Sequence, residues 1–326
     1  MRIETSICWL VGATAFAVVP TALAQDGTDY ATVNINEDDV GPNVGSQPRS
    51  PRRTPTEETQ GEAPEIVSEE DSRLYVGFGV EYTTAYYSRG FLYEDNGLIL
   101  QPYLDLSLDV IRTEDSTISL TMGTWSSYQD EATEAGTTDS FREDWYESDL
   151  YIGASLSTGN WYLEVDYYWY TSPSDAWDTI EEIYFSAAYD DSDDLGAWSL
   201  QPTAILAIEV GENANDGYHK GTYLQLGVSP GFTLEEGTFE SWEITFPVSV
   251  GLSLGNYYEG DSGENDFFGF ASVGATASLP LDLDESWGSW YFYAGVQALF
   301  LGETASSWND DDDTDAILTV GLSIEF

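Results

Sequence analysis

The sequence predicts an all-β fold: a closed antiparallel transmembrane β-barrel of about twelve strands, preceded by a disordered amino-terminal arm. Three observations predict it. Apolar and polar side chains alternate in segment after segment from residue 73 onward, the last such segment closes on Phe326, and residues 1–24 have the layout of a secretory signal peptide. In a membrane barrel the outward side chains meet lipid and the inward ones meet water, so hydropathy runs with period two.

At the amino terminus Arg2 supplies a positive end and Ile7 to Val19 an apolar core. Ala22, Leu23 and Ala24 form a small-residue cleavage site before Gln25. The apolar run is short for a transmembrane helix. Cys8, the only cysteine, lies inside this segment, so the mature chain is expected to have no disulfide. Residues 25–72 have no apolar period and are rich in Asp, Glu, Pro, Thr and Ser, which predicts a disordered periplasmic arm. Arg49, Arg52 and Arg53 stand there among prolines, either as a contact for an acidic partner or as part of a solvated linker.

Residues 73–326 form the predicted barrel. On the first strand Leu74, Val76, Phe78, Val80 and Tyr82 share one face, with Tyr75, Gly77, Gly79, Glu81 and Thr83 opposite. The second runs from Leu98 to Val110, with Gln101, Tyr103, Asp105, Ser107 and Asp109 inward. Then follow Ile118–Met122, Leu150–Leu156, Trp161–Trp169 and Ile183–Ala187. The second half continues with Trp198–Val210, Leu224–Val228, Ile244–Leu254, Val273–Leu279, Trp290–Phe300 and Leu318–Phe326. Connectors after even-numbered strands tend to be short, as at Thr158–Asn160. Those after odd-numbered strands are mostly longer and acidic, as at Gln129–Asp144 and Gly302–Asp315. Short periplasmic turns and long outer loops are the barrel habit, and an even strand count leaves both ends in the periplasm. A soluble sandwich also alternates, but it rarely keeps Leu, Phe and Trp on one face of every strand with no helix between.

Composition agrees. The chain has 22 Tyr, 14 Phe and 11 Trp, enough for aromatic girdles at two membrane interfaces. Its formal charge of −50 argues against binding nucleic acid. Such acidity fits either an affinity for cations or solubility in salt water. The expected surroundings are bacterial outer-membrane lipid and, through Phe326 as an assembly signal, the outer-membrane assembly machinery. A monomer or a homo-oligomer is expected.

Two stretches carry a family resemblance. Thr83, Thr84, Ala85, Tyr86, Tyr87, Ser88, Arg89 and Gly90 resemble the opening of the Gcw-chp family, also called TorF-type putative porins. Tyr168, Trp169 and Tyr170 with Pro173, then Glu182, Ile183 and Tyr184, resemble that family's middle hairpin. Phe91 stands where members often have Ile or Val. The resemblance implies an outer-membrane barrel and names no substrate.

No zinc, phosphate-loop or dinucleotide motif occurs, and no cofactor is expected. His219, the only histidine, falls beside Lys220 at a loop edge with no partner identifiable in the sequence, so a hydrolase is the least favoured reading. The inward carboxylates define the candidate pore lining: Glu81, Asp105, Asp109, Asp149, Glu164, Asp166, Glu209 and Glu325, with Arg89 near the outer rim to brace them. Rings of carboxylates select cations. Folding the first hairpin about residues 93 and 94 brings Glu81 close to Asp105. Inward tyrosines (Tyr75, Tyr103, Tyr151, Tyr162, Tyr184, Tyr223, Tyr291) fill a lumen, whereas inward glycines leave room, so an open channel and a closed barrel both stand. Asp310, Asp311, Asp312 and Asp313 are weak Ca²⁺ candidates because their loop lacks the Gly and Glu of an EF-hand. The expected function is a porin-like channel for small, preferably cationic or neutral solutes. The alternative is a closed structural or adhesive barrel.

Overall fold

A computed structural model describes residues 5–7, 21–23, 72–130, 144–215, 218–234, 241–260 and 263–326. Most of the expected signal segment, the arm with its arginines, and much of the loop Gln129–Asp144 lie outside these residues. Two short strands, β1 (Thr5–Ile7) and β2 (Thr21–Leu23), pair with each other in a sheet of their own.

Twelve strands form the wall. They are β3 (Leu74–Thr83), β6 (Ile99–Arg112), β7 (Ser116–Gln129), β8 (Trp145–Thr158), β9 (Trp161–Thr171) and β10 (Ile180–Tyr189). After them come β11 (Thr203–Glu209), β12 (Thr222–Val228), β15 (Val248–Gly255), β16 (Phe268–Leu281), β17 (Ser289–Leu301) and β18 (Thr314–Glu325). Each pairs antiparallel with its chain neighbour, and β18 returns to β3 from Glu325↔Gly77 to Thr319↔Thr83. Phe326 and Val76 exchange backbone hydrogen bonds of 2.9 and 3.2 Å at that seam. The sheet is therefore closed, which is the way a β-structure can satisfy its backbone in lipid.

The distribution of side chains is inside out. Facing away from the barrel, Phe78 is 48 % exposed, Ile152 53 % and Phe185 47 %, while inward Glu81, Asp105 and Gln101 are buried. Aromatic residues collect at both rims. Trp161, Tyr189, Phe232, Phe246, Trp287 and Phe326 lie at the end bearing the termini, and Tyr128, stacked on Trp145, lies at the other. A closed sheet with this polarity spans a membrane, and the chain is a bacterial outer-membrane β-barrel. The alternation rule identifies all twelve wall strands.

The wall is irregular on one side. The line of β12 continues past Pro230 as β13 (Gly231–Thr233), and β14 (Glu243–Thr245) precedes Pro247 and β15. Proline has no N–H for the ladder, so each strand is interrupted there. The seventh strand begins at Thr203 and not at Trp198 as predicted. Asp191 accepts from the Ser199 hydroxyl at 2.6 Å and from the amides of Leu200 and Gln201 at 3.0 Å each. That capping holds residues 196–198 in a 3₁₀ turn, and Pro202 cannot donate to the ladder. The Asp191 carboxylate gains enough from these donors to outweigh its own desolvation, and its pKa lies below the ordinary value.

Candidate functional site

The connection between β3 and β6 turns into the barrel. Within it β4 (Tyr86–Ser88) and β5 (Phe91–Glu94) form a two-stranded hairpin that is separate from the wall. Its tip is the two-residue turn Arg89–Gly90, with φ of 52° and 93°. Positive φ at both central residues is what a tight hairpin turn requires, and glycine meets it without cost.

Aromatic burial and hydrogen bonds fix the hairpin in place. Tyr86 and Phe91 are buried, the latter with its ring 5.5 Å from Tyr258 and 5.9 Å from Trp308. Burying one such side chain contributes about 1.5–3 kcal/mol. Tyr86 donates to Glu147 at 2.5 Å, Tyr87 to Asp315 at 2.7 Å, and Tyr258 to the Arg89 carbonyl at 2.8 Å. Burial and the Asp315 carboxylate both push the Tyr87 phenol pKa up.

Arg89 crosses the mouth to the opposite wall. Its guanidinium binds both carboxylate oxygens of Glu182 on β10, at 2.9 and 2.6 Å, and donates to Tyr257 at 2.7 Å and to Tyr184. The same guanidinium lies 4.6–5.2 Å from the ring centres of Tyr223, Tyr257 and Tyr184; Tyr223 makes the cation–π contact, and the other two meet it through their hydroxyls. Desolvation, the largest single influence, disfavours the charge, but Glu182 together with Tyr184, Tyr257 and Tyr170 outweighs it and holds the Arg89 pKa above its ordinary value.

The predicted acids lie on the inward phase of the wall strands; Glu209 is level with Glu182 and caps the amides of Asn215 and Gly221, and Asp149 lies beside Glu147 at the level of the hairpin. Glu81, Asp105, Asp109, Asp149, Asp166 and Glu209 are buried, and Glu164 and Glu325 are half-buried. Asp109 pairs with Arg112 at 2.6 Å near the end bearing the termini. The predicted approach of Glu81 to Asp105 does not form. The register sets Glu81 against Gln101 and Asp105 against Gly77, because the connecting segment turns at Arg89–Gly90 and not about residues 93 and 94.

Several inward glycines leave no open room, although Gly77 does. A Cβ at Gly321 would meet the ring of Tyr293 at 2.1 Å, one at Gly123 the Tyr151 hydroxyl at 2.3 Å, and one at Gly153 the Asp166 carboxylate at 2.0 Å. Each glycine is the gap through which side chains of the two flanking strands approach each other. Tyr293 hydrogen-bonds Glu81 across Gly321, and Thr121 donates to Asp166 at 3.1 Å across Gly153. Tyrosines also stack on one another, Tyr151 on Tyr168 at 4.9 Å and Tyr168 beside Tyr184 at 4.5 Å.

Above the hairpin a cavity of about 970 Å³ opens outward. Arg89 and Glu182 contribute to its lining, as do Tyr93, Glu147, Tyr170 and Trp177. Neither Glu147 nor Glu182 was among the predicted lining residues. Glu182 shares the inward phase of Tyr184, a signal present in the sequence. Glu147 precedes the predicted start of its strand, which in fact extends back to Trp145.

His219 has a partner after all. Its Nδ1 lies 2.8 Å from Glu259 Oε1, and the amides of Tyr218 and His219 donate to the other oxygen at 2.9 Å each. The ring is largely exposed, and among the described residues no hydroxyl bonds to it. Asp310, Asp311, Asp312 and Asp313 occupy a tight turn, with φ of 52° and 66° at the first two. Their side chains are exposed, and among the described residues no three metal-ligating side chains converge.

No family model matches the chain, and no curated protein matches it. Among solved structures it is similar to the NanC porin, at 9 % identity and TM-score 0.39, over 77 % of this chain and 98 % of that one. It is likewise similar to the beta domain of the Bordetella autotransporter BrkA, at 13 % identity, TM-score 0.39 and the same coverages. LpxR from Salmonella typhimurium matches at 10 % identity and TM-score 0.36, over 77 % of this chain and 99 % of that one. The barrel assignment rests on the strand pairing itself.

Proposed function

We propose that the barrel is a passive channel for small solutes that prefers cations, and that the β4–β5 hairpin is its constriction. One observation carries this reading: carboxylates dominate the lumen. Glu81, Asp105, Asp149, Glu164, Asp166 and Glu209 line the wall, while Arg89 and Arg112 are each engaged by a carboxylate of their own. An acid-lined, low-dielectric passage attracts cations and repels anions. No covalent step enters, so no catalytic residue is assigned. The Gcw-chp resemblance of residues 83–90 fits the same reading.

Planar-bilayer recording of the purified full chain tests it. Single-channel steps are expected, with a reversal potential on the cation side in a salt gradient. In the Glu81→Gln, Asp105→Asn double variant that potential should move toward zero. Absence of steps ends the channel reading, and an unchanged potential removes those two residues from selectivity.

A closed structural barrel is the second reading. It is favoured by how little the lumen side chains are exposed, with Asp149 and Asp166 at 2 % each. The same recordings separate the two.

A further inference from the structure

We propose that the outer vestibule binds an organic cation carrying a quaternary ammonium or guanidinium group. The proposal deepens the cation-preferring reading of the same mouth and concerns binding, not passage.

The protein contains its own precedent. Arg89 shows how this mouth holds a delocalised cation: the Tyr223 ring 4.6 Å from the guanidinium, the hydroxyls of Tyr184 and Tyr257 accepting from it, and a carboxylate in two-point contact, in a place shielded from water. The cavity directly outside repeats that chemistry. Tyr93, Tyr146 and Trp177 form a continuous aromatic row along its wall, with ring centres 6.0 Å apart for the first pair and 6.5 Å for the second. Glu147, which accepts from Tyr86, stands beside Tyr146 at 5 % exposure and carries negative charge to the wall, and Asp178 follows Trp177 at the rim. Arg89 is the one cationic side chain in the lining, and Glu182 already neutralises it. Among the described lining residues the wall thus combines aromatic rings with carboxylates.

The size and arrangement decide between classes of cation. A volume of about 970 Å³ is at the upper end of small-molecule sites, which span roughly 300–1,000 Å³. A bare metal ion needs several oxygen ligands converging on one point, and no such convergence occurs among the described residues. Aromatic faces contribute to binding where the cation is large and weakly hydrated, which selects ammonium and guanidinium groups over sodium.

Isothermal titration of the detergent-folded full chain with choline chloride tests this, in 0.5 M NaCl so that diffuse attraction to the acidic surface is screened. One saturable site per chain is expected, unaffected by exchanging sodium for potassium. Trp177→Leu should weaken it at least about fivefold through loss of a cation–π face. Glu147→Gln should weaken it similarly. If that buried position disturbs folding, Asp178→Asn at the exposed rim takes its place. No saturable heat, an affinity unchanged in Trp177→Leu, or equal competition by sodium overturns the proposal. Conductance is a separate readout. Choline binding without current would end the channel reading alone, and current without choline binding would end this one alone.

Discussion

Tyr293 lays its ring across Gly321 and hydrogen-bonds Glu81 on the strand beyond. The three residues face one another on β17, β18 and β3, so the contact bridges the seam where the last strand meets the first. A carboxylate expected to line a pore thus also fastens the barrel shut. Thr121, Gly153 and Asp166 repeat the arrangement on β7, β8 and β9.

Filling the gap should loosen the seam. In Gly321→Val the new side chain takes the place of the Tyr293 ring, and overpacking of this kind costs about 1–3 kcal/mol. Tyr293→Phe keeps the ring and removes one hydrogen bond, a loss of about 1 kcal/mol. The temperature at which the folded band is lost in gel-shift assays should fall clearly in the first and slightly in the second. Equal behaviour of both variants would mean that the ring's position over Gly321 does not matter.

Removing the arginine should unseat the hairpin. Taking away one partner of a buried ion pair costs about 3–5 kcal/mol, because the other charge is left without compensation. In Arg89→Ala the orphaned group is Glu182, 2 % exposed on its side chain. Single-channel conductance should rise, and residues 86–94 should become sensitive to protease. Arg89→Lys keeps the charge but loses the two-point contact, so it should fall between. Conductance identical to that of the parent protein in Arg89→Ala would refute the constriction.

The wall was legible in the sequence because lipid and water impose period two on every strand, and all twelve strands were found by that rule alone. The hairpin was not. Residues 84–98 occupy a loop position, and their inward course depends on Glu182, Tyr223 and Tyr257, each more than ninety residues away. The pairing of Glu81 failed for the same reason, since a loop that turns at Arg89 shifts the register. The glycines misled because alternation identifies which face a residue occupies but not what lies over it. Glu147 was missed where the outward pair Tyr128 and Trp145 extends two strands further than their aliphatic cores.

Acid should release the loop at His219. The Glu259 pKa is held below its ordinary value, first by the hydrogen bond with His219 and then by the backbone amides of His219 and Tyr218. A depressed carboxylate pKa means that the attachment is fully present above the unfolded value, near 4.3, and lost as pH falls through the lower folded value. Amide exchange at Tyr218 and His219, corrected for intrinsic rates, should be slow at neutral pH and accelerate in that acidic window. Glu259→Gln should show the fast exchange at every pH. Protection that persists at pH 2 would remove Glu259 as the anchor.

Phe326 separates two roles that a deletion would confuse. Its backbone closes the seam with Val76, while its side chain, 62 % exposed, touches the outer face at the end bearing the termini. Deleting the residue removes both. Phe326→Ala keeps the backbone pairing and changes only the ring, so the purified variant should refold in detergent with the thermal stability of the parent protein to within about 1 kcal/mol, since exposed substitutions seldom cost more. In cells the same variant should accumulate unassembled if the ring is what the assembly machinery reads. Normal assembly of Phe326→Ala would mean that the terminal aromatic serves the membrane interface alone.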